Sequence, residues 1–185
     1  RFIISNHLET TQKSMPLRPR LDPAAAAATM AEIDPAYTPQ QAKVEADRCL
    51  FCFDAPCITA CPTGIDIPAF IKKIASDNLT GAGRTILEAN VLGSSCARVC
   101  PTRELCEGAC VLLDRDEQPI KIGRLQRHAT DHVFKHSIDV LKPATKKSGK
   151  RVALVGAGPA SIGCAAELVQ LGHEATVYEK KPLAG

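Results

Sequence analysis

Tryptophan is absent from this chain, and aromatic residues make up only 4% of it. That leaves few rings for the stacking platforms that hold single-stranded nucleic acid. Strong charge of one sign is missing too. The formal net charge is +3, too mild to suggest a nucleic-acid partner. No apolar run approaches the roughly 20 residues of a membrane span. The first thirty residues contain no apolar segment of signal-peptide type. No nucleic acid, no membrane and a cytoplasmic location are therefore expected. A starting Met is also lacking, and the chain stops at "KKPLAG". It reads as a piece of a longer protein, with room in 185 residues for one small domain and part of another.

Cysteine is what the chain has in excess, with nine in all. A secreted disulfide scaffold is the plain explanation for such a count. The missing signal segment and the short-range clustering of the thiols argue against it. The pattern runs C-x2-C-x4-C-x3-C-P from Cys49 through Cys52, Cys57 and Cys61, then C-x3-C-P-x4-C-x3-C from Cys96 through Cys100, Cys106 and Cys110. Iron–sulfur proteins place Cys thiolates in such runs, and a Cys before Pro often serves a second cluster. Structural zinc sites favour isolated C-x2-4-C pairs, often with His, and no His lies inside either run. Iron–sulfur is the favoured reading and a zinc-stabilised interaction module the rival. By spacing alone, eight clustered cysteines would make two sites of four.

The surrounding residues read as helices. In "TPQQAKVEADRC", Thr38 is an N-cap, Pro39 suits the first position and Gln41 completes a capping box, so this helix delivers Cys49. In "DIPAFIKKIASDN", Asp66 caps a helix whose Ile67, Phe70, Ile71 and Ile74 share one face. "GAGRTILEAN" is a third helix. Residues 94–110 read as short helical turns interrupted by Pro101 and Gly108. "IGRLQRHATDHVFKH" is a fourth, with Ile122, Leu125, Ala129 and Val133 on one side. Its His128, His132 and His136 fall at i, i+4 and i+8. With no matching ligands elsewhere (His7 and His173 stand apart), they read as a solvated face. Residues 1–35 are expected to be unstructured; Met15 or Met30 is a possible start, and a targeting segment is a weaker option.

Beyond a polar linker at 142–150, "RVALVGAGPASIGCAAELVQLGHEATVYEKK" reads as strand, glycine turn, helix and strand. Gly156 allows the tight turn and Gly158 lets the backbone approach a pyrophosphate at the helix N-terminus. Pro159 fits the first helical turn, while Ser161 replaces the third glycine. Glu179 ends the second strand 21 residues after Gly158, where an acid can bond a ribose hydroxyl. The pattern points to a dinucleotide without a 2′-phosphate, NAD or FAD. One β-α-β unit cannot bury both faces of its sheet. Cys164, on the intervening helix, reads as a packed core thiol.

Together "RCLFCFDAPCITACPTGIDIPAFI", "ARVCPTRELCEGAC", "PIKIGRLQR" and "GAGPASIGC" resemble the N-terminal part of dihydropyrimidine dehydrogenase, most of all the flavin-bearing subunit of its bacterial, NAD-dependent, two-subunit form. The resemblance covers about residues 35–185. The small subunit of glutamate synthase is similar in architecture and is the nearest rival, implying an NAD(P)H oxidoreductase with a different electron acceptor. What the resemblance implies is an all-α iron–sulfur domain of α-helical ferredoxin type over 36–141, the linker 142–150, and the first β-α-β unit of a Rossmann-like FAD-binding α/β domain over 151–185. It implies one 4Fe-4S cluster on Cys49, Cys52, Cys57 and Cys110. It implies a second on Cys61, Cys100, Cys106 and Gln126, with Cys96 no ligand. FAD would bind at Gly156, Ala157, Gly158, Pro159, Ala160 and Glu179. Read from the residues alone, Gln126 is an ordinary polar helix residue. The implied activity is electron transfer from NAD(P)H through FAD and two 4Fe-4S clusters to an FMN-containing partner that reduces uracil or thymine. The nicotinamide and FMN sites are expected outside this sequence, and no catalytic residue is named within it.

Overall fold

The structure is a computed structural model that describes residues 34–181, with Asp22, Ala24 and Glu32 before them. Most of the segment expected to be unstructured, with His7, Met15 and Met30, lies outside the described residues. The chain divides at Pro35, and Ala36–Gly185 forms a compact unit. That unit is mostly helical, with one small parallel sheet.

Helix α1 spans Pro39–Asp47 and begins in the expected capping box, with Thr38 N–H bonded to Gln41 Oε1 at 3.0 Å and Gln41 N–H to Thr38 Oγ1 at 3.3 Å. The short α2, Pro56–Thr59, starts on a proline. Asp66 caps α3, Ile67–Ala75, by accepting from Ala69 N–H. Helix α4, Leu79–Ala89, starts two residues before the third expected helix, because Asn78 caps it by accepting from Gly81 N–H at 2.9 Å. Then come α5, Gly93–Val99, a 3-10 turn at Val111–Arg115, and α6, Ile122–Lys135.

The apolar stripes meet in one core. Phe70, Ile71 and Ile74 of α3, Ile86 of α4, and Ile122, Leu125 and Ala129 of α6 are all at most 2% exposed. Each large side chain so buried contributes about 1.5–3 kcal/mol. Cys106 belongs to this core, and Cys49, Cys57, Cys61 and Cys110 pack against it. Val133 joins Leu87 and Val140 in a smaller cluster.

Strand β1, Arg151–Val155, pairs in parallel with β2, Glu174–Tyr178, from Arg151 opposite Glu174 to Val155 opposite Tyr178. Helix α7, Pro159–Gln170, connects them and has no buried residue. A correction follows from that: Cys164 is exposed, not a packed core thiol. The physical reason is the one that limits any single β-α-β unit, whose outward apolar groups, such as Val155 at 89% exposure, need further layers to cover them. The linker lies on this unit through Ala144 N–H to Val169 O and Ser148 N–H to Gly172 O. Among the described residues no helix is long and apolar enough to cross a membrane.

Candidate metal centre

Two segments far apart in sequence converge on one cavity. Helix α1 ends at Asp47, and Cys49 N–H closes on Ala46 O at 3.1 Å. The chain then turns through Phe51, whose φ of 50° is unusual for an aromatic residue, and presents Cys52. Pro56 opens α2 and sets Cys57 in its first turn. From the other side, Cys110 precedes the 3-10 turn and its N–H bonds Glu107 O. Cys49, Cys52, Cys57 and Cys110 line one partly open cavity walled by Ile67, Ile71, Leu112, Ile120 and Ile122.

An apolar cavity is a poor place for free thiolates. Burial pushes the Cys57 thiol up to about 11, and the neighbouring Cys49 and Cys110 sulfurs add to the effect. Burial also raises Cys49, again with Cys52 and Cys110 nearby. Catalytic cysteines require the opposite shift from that of Cys49 and Cys57. Bound iron reverses the sign, since a coordinated thiol gives up its proton to the cation. Four thiols gathered on a dry wall thus fit a metal cluster. Among the described residues no group of three or more His, Cys, Asp or Glu is gathered to hold a single metal ion. A multi-atom cluster is wider than an ion and holds its thiols farther apart. All nine cysteines are free of disulfides.

A second grouping involves Cys61, Cys100 and Cys106. Burial pushes Cys106 up to about 12, helped by the charges at Glu107, Cys61 and Cys100. Cys100 is raised by burial and then by Cys96, Cys61 and Glu107. Cys61 differs. Burial would raise it, but the Thr63 hydroxyl at 3.5 Å and the backbone N–H groups of Ile65, Thr63 and Gly64 outweigh that and lower it. These three sulfurs therefore share one neighbourhood. Cys96 lies near Cys100 as well, and its sulfur accepts from Asn90 Nδ2 at 3.2 Å.

Gln126, an ordinary polar helix residue in sequence, is buried in the fold. It is 7% exposed on α6, and its amide nitrogen donates to Gly93 O at 2.7 Å. A carbonyl only accepts, so the nitrogen must face Gly93 and the amide orientation is fixed. Among the described residues no buried side-chain nitrogen or oxygen lacks a hydrogen-bond partner. The amide oxygen is then the atom turned away from Gly93 O.

The histidines of α6 gather no metal set. His128 and His132 are half-buried and His136 is exposed, with His136 Nδ1 against His132 O. Burial lowers both His128 and His132.

At the glycine loop, Gly156 has φ of 89° and its N–H bonds Tyr178 O at 2.8 Å. Only glycine adopts that conformation without strain. Gly158 caps α7 with an ordinary φ of −77°, and an added Cβ would meet nothing within 4 Å. Glu179 reaches this loop, accepting from Ala157 N–H at 2.8 Å and from Lys181 N–H at 2.9 Å. Those bonds, Lys181 first, hold its carboxyl below the usual range.

Sequence reading passed over Glu107. It is 5% exposed, and its Oε1 accepts from Gly123 N–H at 3.0 Å in the first turn of α6. Glu45 accepts from Lys121 N–H at the same helix end. A carboxylate that caps a helix from a distant segment leaves no local sequence signal.

Known proteins resemble this chain. The family described as dihydropyrimidine dehydrogenase domain II, 4Fe-4S cluster, matches residues 26–138. The NAD-dependent dihydropyrimidine dehydrogenase subunit PreT of Escherichia coli O157:H7 is 47% identical over 154 residues, which is 83% of this chain and 37% of that protein. The subunit of the same name from Salmonella typhimurium and its homolog from Salmonella typhi are each 46% identical over the same shares. The chain thus spans a little over a third, 37%, of the length of these relatives.

Proposed function

Since the chain belongs to the dihydropyrimidine dehydrogenase domain II, 4Fe-4S cluster family, we propose that it is the electron-transfer part of a flavin and iron–sulfur oxidoreductase. In this reading electrons from NAD(P)H pass by FAD and two 4Fe-4S clusters to an FMN-containing partner subunit that reduces uracil or thymine. Bound clusters would supply one-electron transfer, which the protein tunes through charge, hydrogen bonds and solvent access.

The observation that carries the proposal is the convergence of Cys49, Cys52, Cys57 and Cys110 on one apolar cavity. These four would hold one cluster. Cys61, Cys100, Cys106 and the Gln126 amide oxygen would hold the other, with Cys96 beside them and unligated. Apolar side chains wall the first set. Gly156, Ala157, Gly158, Pro159 and Ala160 would meet the FAD pyrophosphate at the N-terminus of α7, and Glu179 would exchange a loop N–H for a ribose hydroxyl. We assign the iron–sulfur domain to 36–141, the linker to 142–150 and the start of the flavin domain to 151–185.

Iron and sulfide analysis of anaerobically prepared protein tests this, read with its visible spectrum. About eight irons per chain are expected for two clusters, with broad absorbance that bleaches under dithionite. A colourless protein holding zinc would overturn the proposal.

A further inference from the structure

Glu107 is the one buried carboxylate among the described residues. Burying an ionised carboxylate costs several kcal/mol unless its surroundings compensate. One compensation is visible: the Gly123 N–H at 3.0 Å and the positive end of α6 behind it. A neutral glutamine would accept the same N–H without the cost of burying charge. Capping alone therefore does not explain an acid here.

Arg48 is engaged with Glu45 and with Gln118 O, and the Arg124 guanidinium lies 3.8 Å over the Tyr37 ring. Among the described residues Glu107 makes no ion pair. Its position is specific. It directly follows Cys106, and it holds α6 at Gly123, one turn ahead of Gln126. Its charge also helps raise the Cys100 and Cys106 thiols.

Resting on the two-cluster reading above, we propose that Glu107 is a potential-setting residue for the cluster on Cys61, Cys100, Cys106 and Gln126. A carboxylate charge beside that cluster would disfavour the uptake of one electron and lower its potential. An amide in place of a fourth thiolate acts in the opposite direction. Glu107 thus offsets part of the effect of Gln126, and the pair sets this cluster apart from its all-cysteine neighbour.

The experiment is a redox titration of the full-length protein with its clusters in place, followed by electron paramagnetic resonance. Wild-type iron content is measured first. A protein with only one cluster would overturn the two-cluster reading, and this inference with it, before any variant is compared. With both clusters present, Glu107→Gln keeps the acceptor for Gly123 and removes the charge. The midpoint of one cluster should rise while the other stays put and iron content is unchanged. Equal midpoints in variant and wild type at full iron content would overturn the inference and leave the two-cluster reading standing. If Glu107→Gln does not retain its iron, Glu107→Asp replaces it, since it keeps the charge and moves it by one methylene. A displaced midpoint there supports the inference, and an unmoved one overturns it.

Discussion

Side-chain identity alone misleads at several positions in this protein. Nine cysteines look chemically equal in sequence, yet their surroundings separate them. Cys57 and Cys106 are pushed up by burial, Cys61 is held down by donors from Thr63 to Ile65, and Cys164 is exposed. Cys96 is the hardest to place, because spacing makes it as good a ligand as Cys100. Its sulfur already accepts from Asn90, while the Gln126 nitrogen donates to Gly93 O and turns the amide oxygen the other way. Paired substitutions separate the two possibilities. Cys96→Ser should retain all of its iron, whereas Cys106→Ser should lose one cluster, about half the total. Equal iron loss in the two variants would show that Cys96 is a ligand and remove Gln126 from that role.

Among the elements, helices α1, α3 and α6 were legible in advance because their signals are local. A cap, a proline and an apolar stripe act within a turn or two of the residues that carry them. The capping box of α1 is present as read, and the stripes of α3 and α6 are the ones buried. Helix α4 begins two residues ahead of its sequence pattern because the Asn78 cap lies before the apolar residues that mark it. The four-residue α2 and the 3-10 turn at Val111–Arg115 carry too short a pattern to announce themselves. Because α1 ends just before Cys49, its cap bears on the cavity as well as on stability. Thr38→Ala removes one half of the reciprocal pair and should cost about 1 kcal/mol, read as a lower denaturant midpoint with unchanged slope. No change in midpoint would mean that packing of Ala42 and Ala46 alone holds α1.

For the whole molecule, the raised thiols have a consequence for pH. A cysteine whose pKa is higher in the folded than in the unfolded chain contributes stability that is complete below the unfolded value, about 8.5. That contribution is lost as pH rises through the folded value, which is about 11 for Cys57 and about 12 for Cys106. Iron-free protein should therefore lose stability from about pH 8.5 upward, while metal-loaded protein, its thiols already deprotonated, should not show that loss. Thermal melts of both forms across this range check the expectation. Parallel declines in the two forms would mean that these thiols do not govern the alkaline behaviour.

The sequence by itself determined the helical character of the first module, the caps of α1 and α3, the glycine turn before α7 and the spacing of the thiols. Each depends on residues within a few positions of one another, where backbone geometry acts directly. Only the tertiary structure decided that Cys110 joins Cys49, Cys52 and Cys57 at one cavity, that Gln126 is buried with its amide fixed by Gly93, and that Glu107 lies beneath the end of α6. It decided as well that Cys164 stays exposed. These outcomes turn on which faces of distant segments meet, and burial is a property of the packed whole that no local pattern carries.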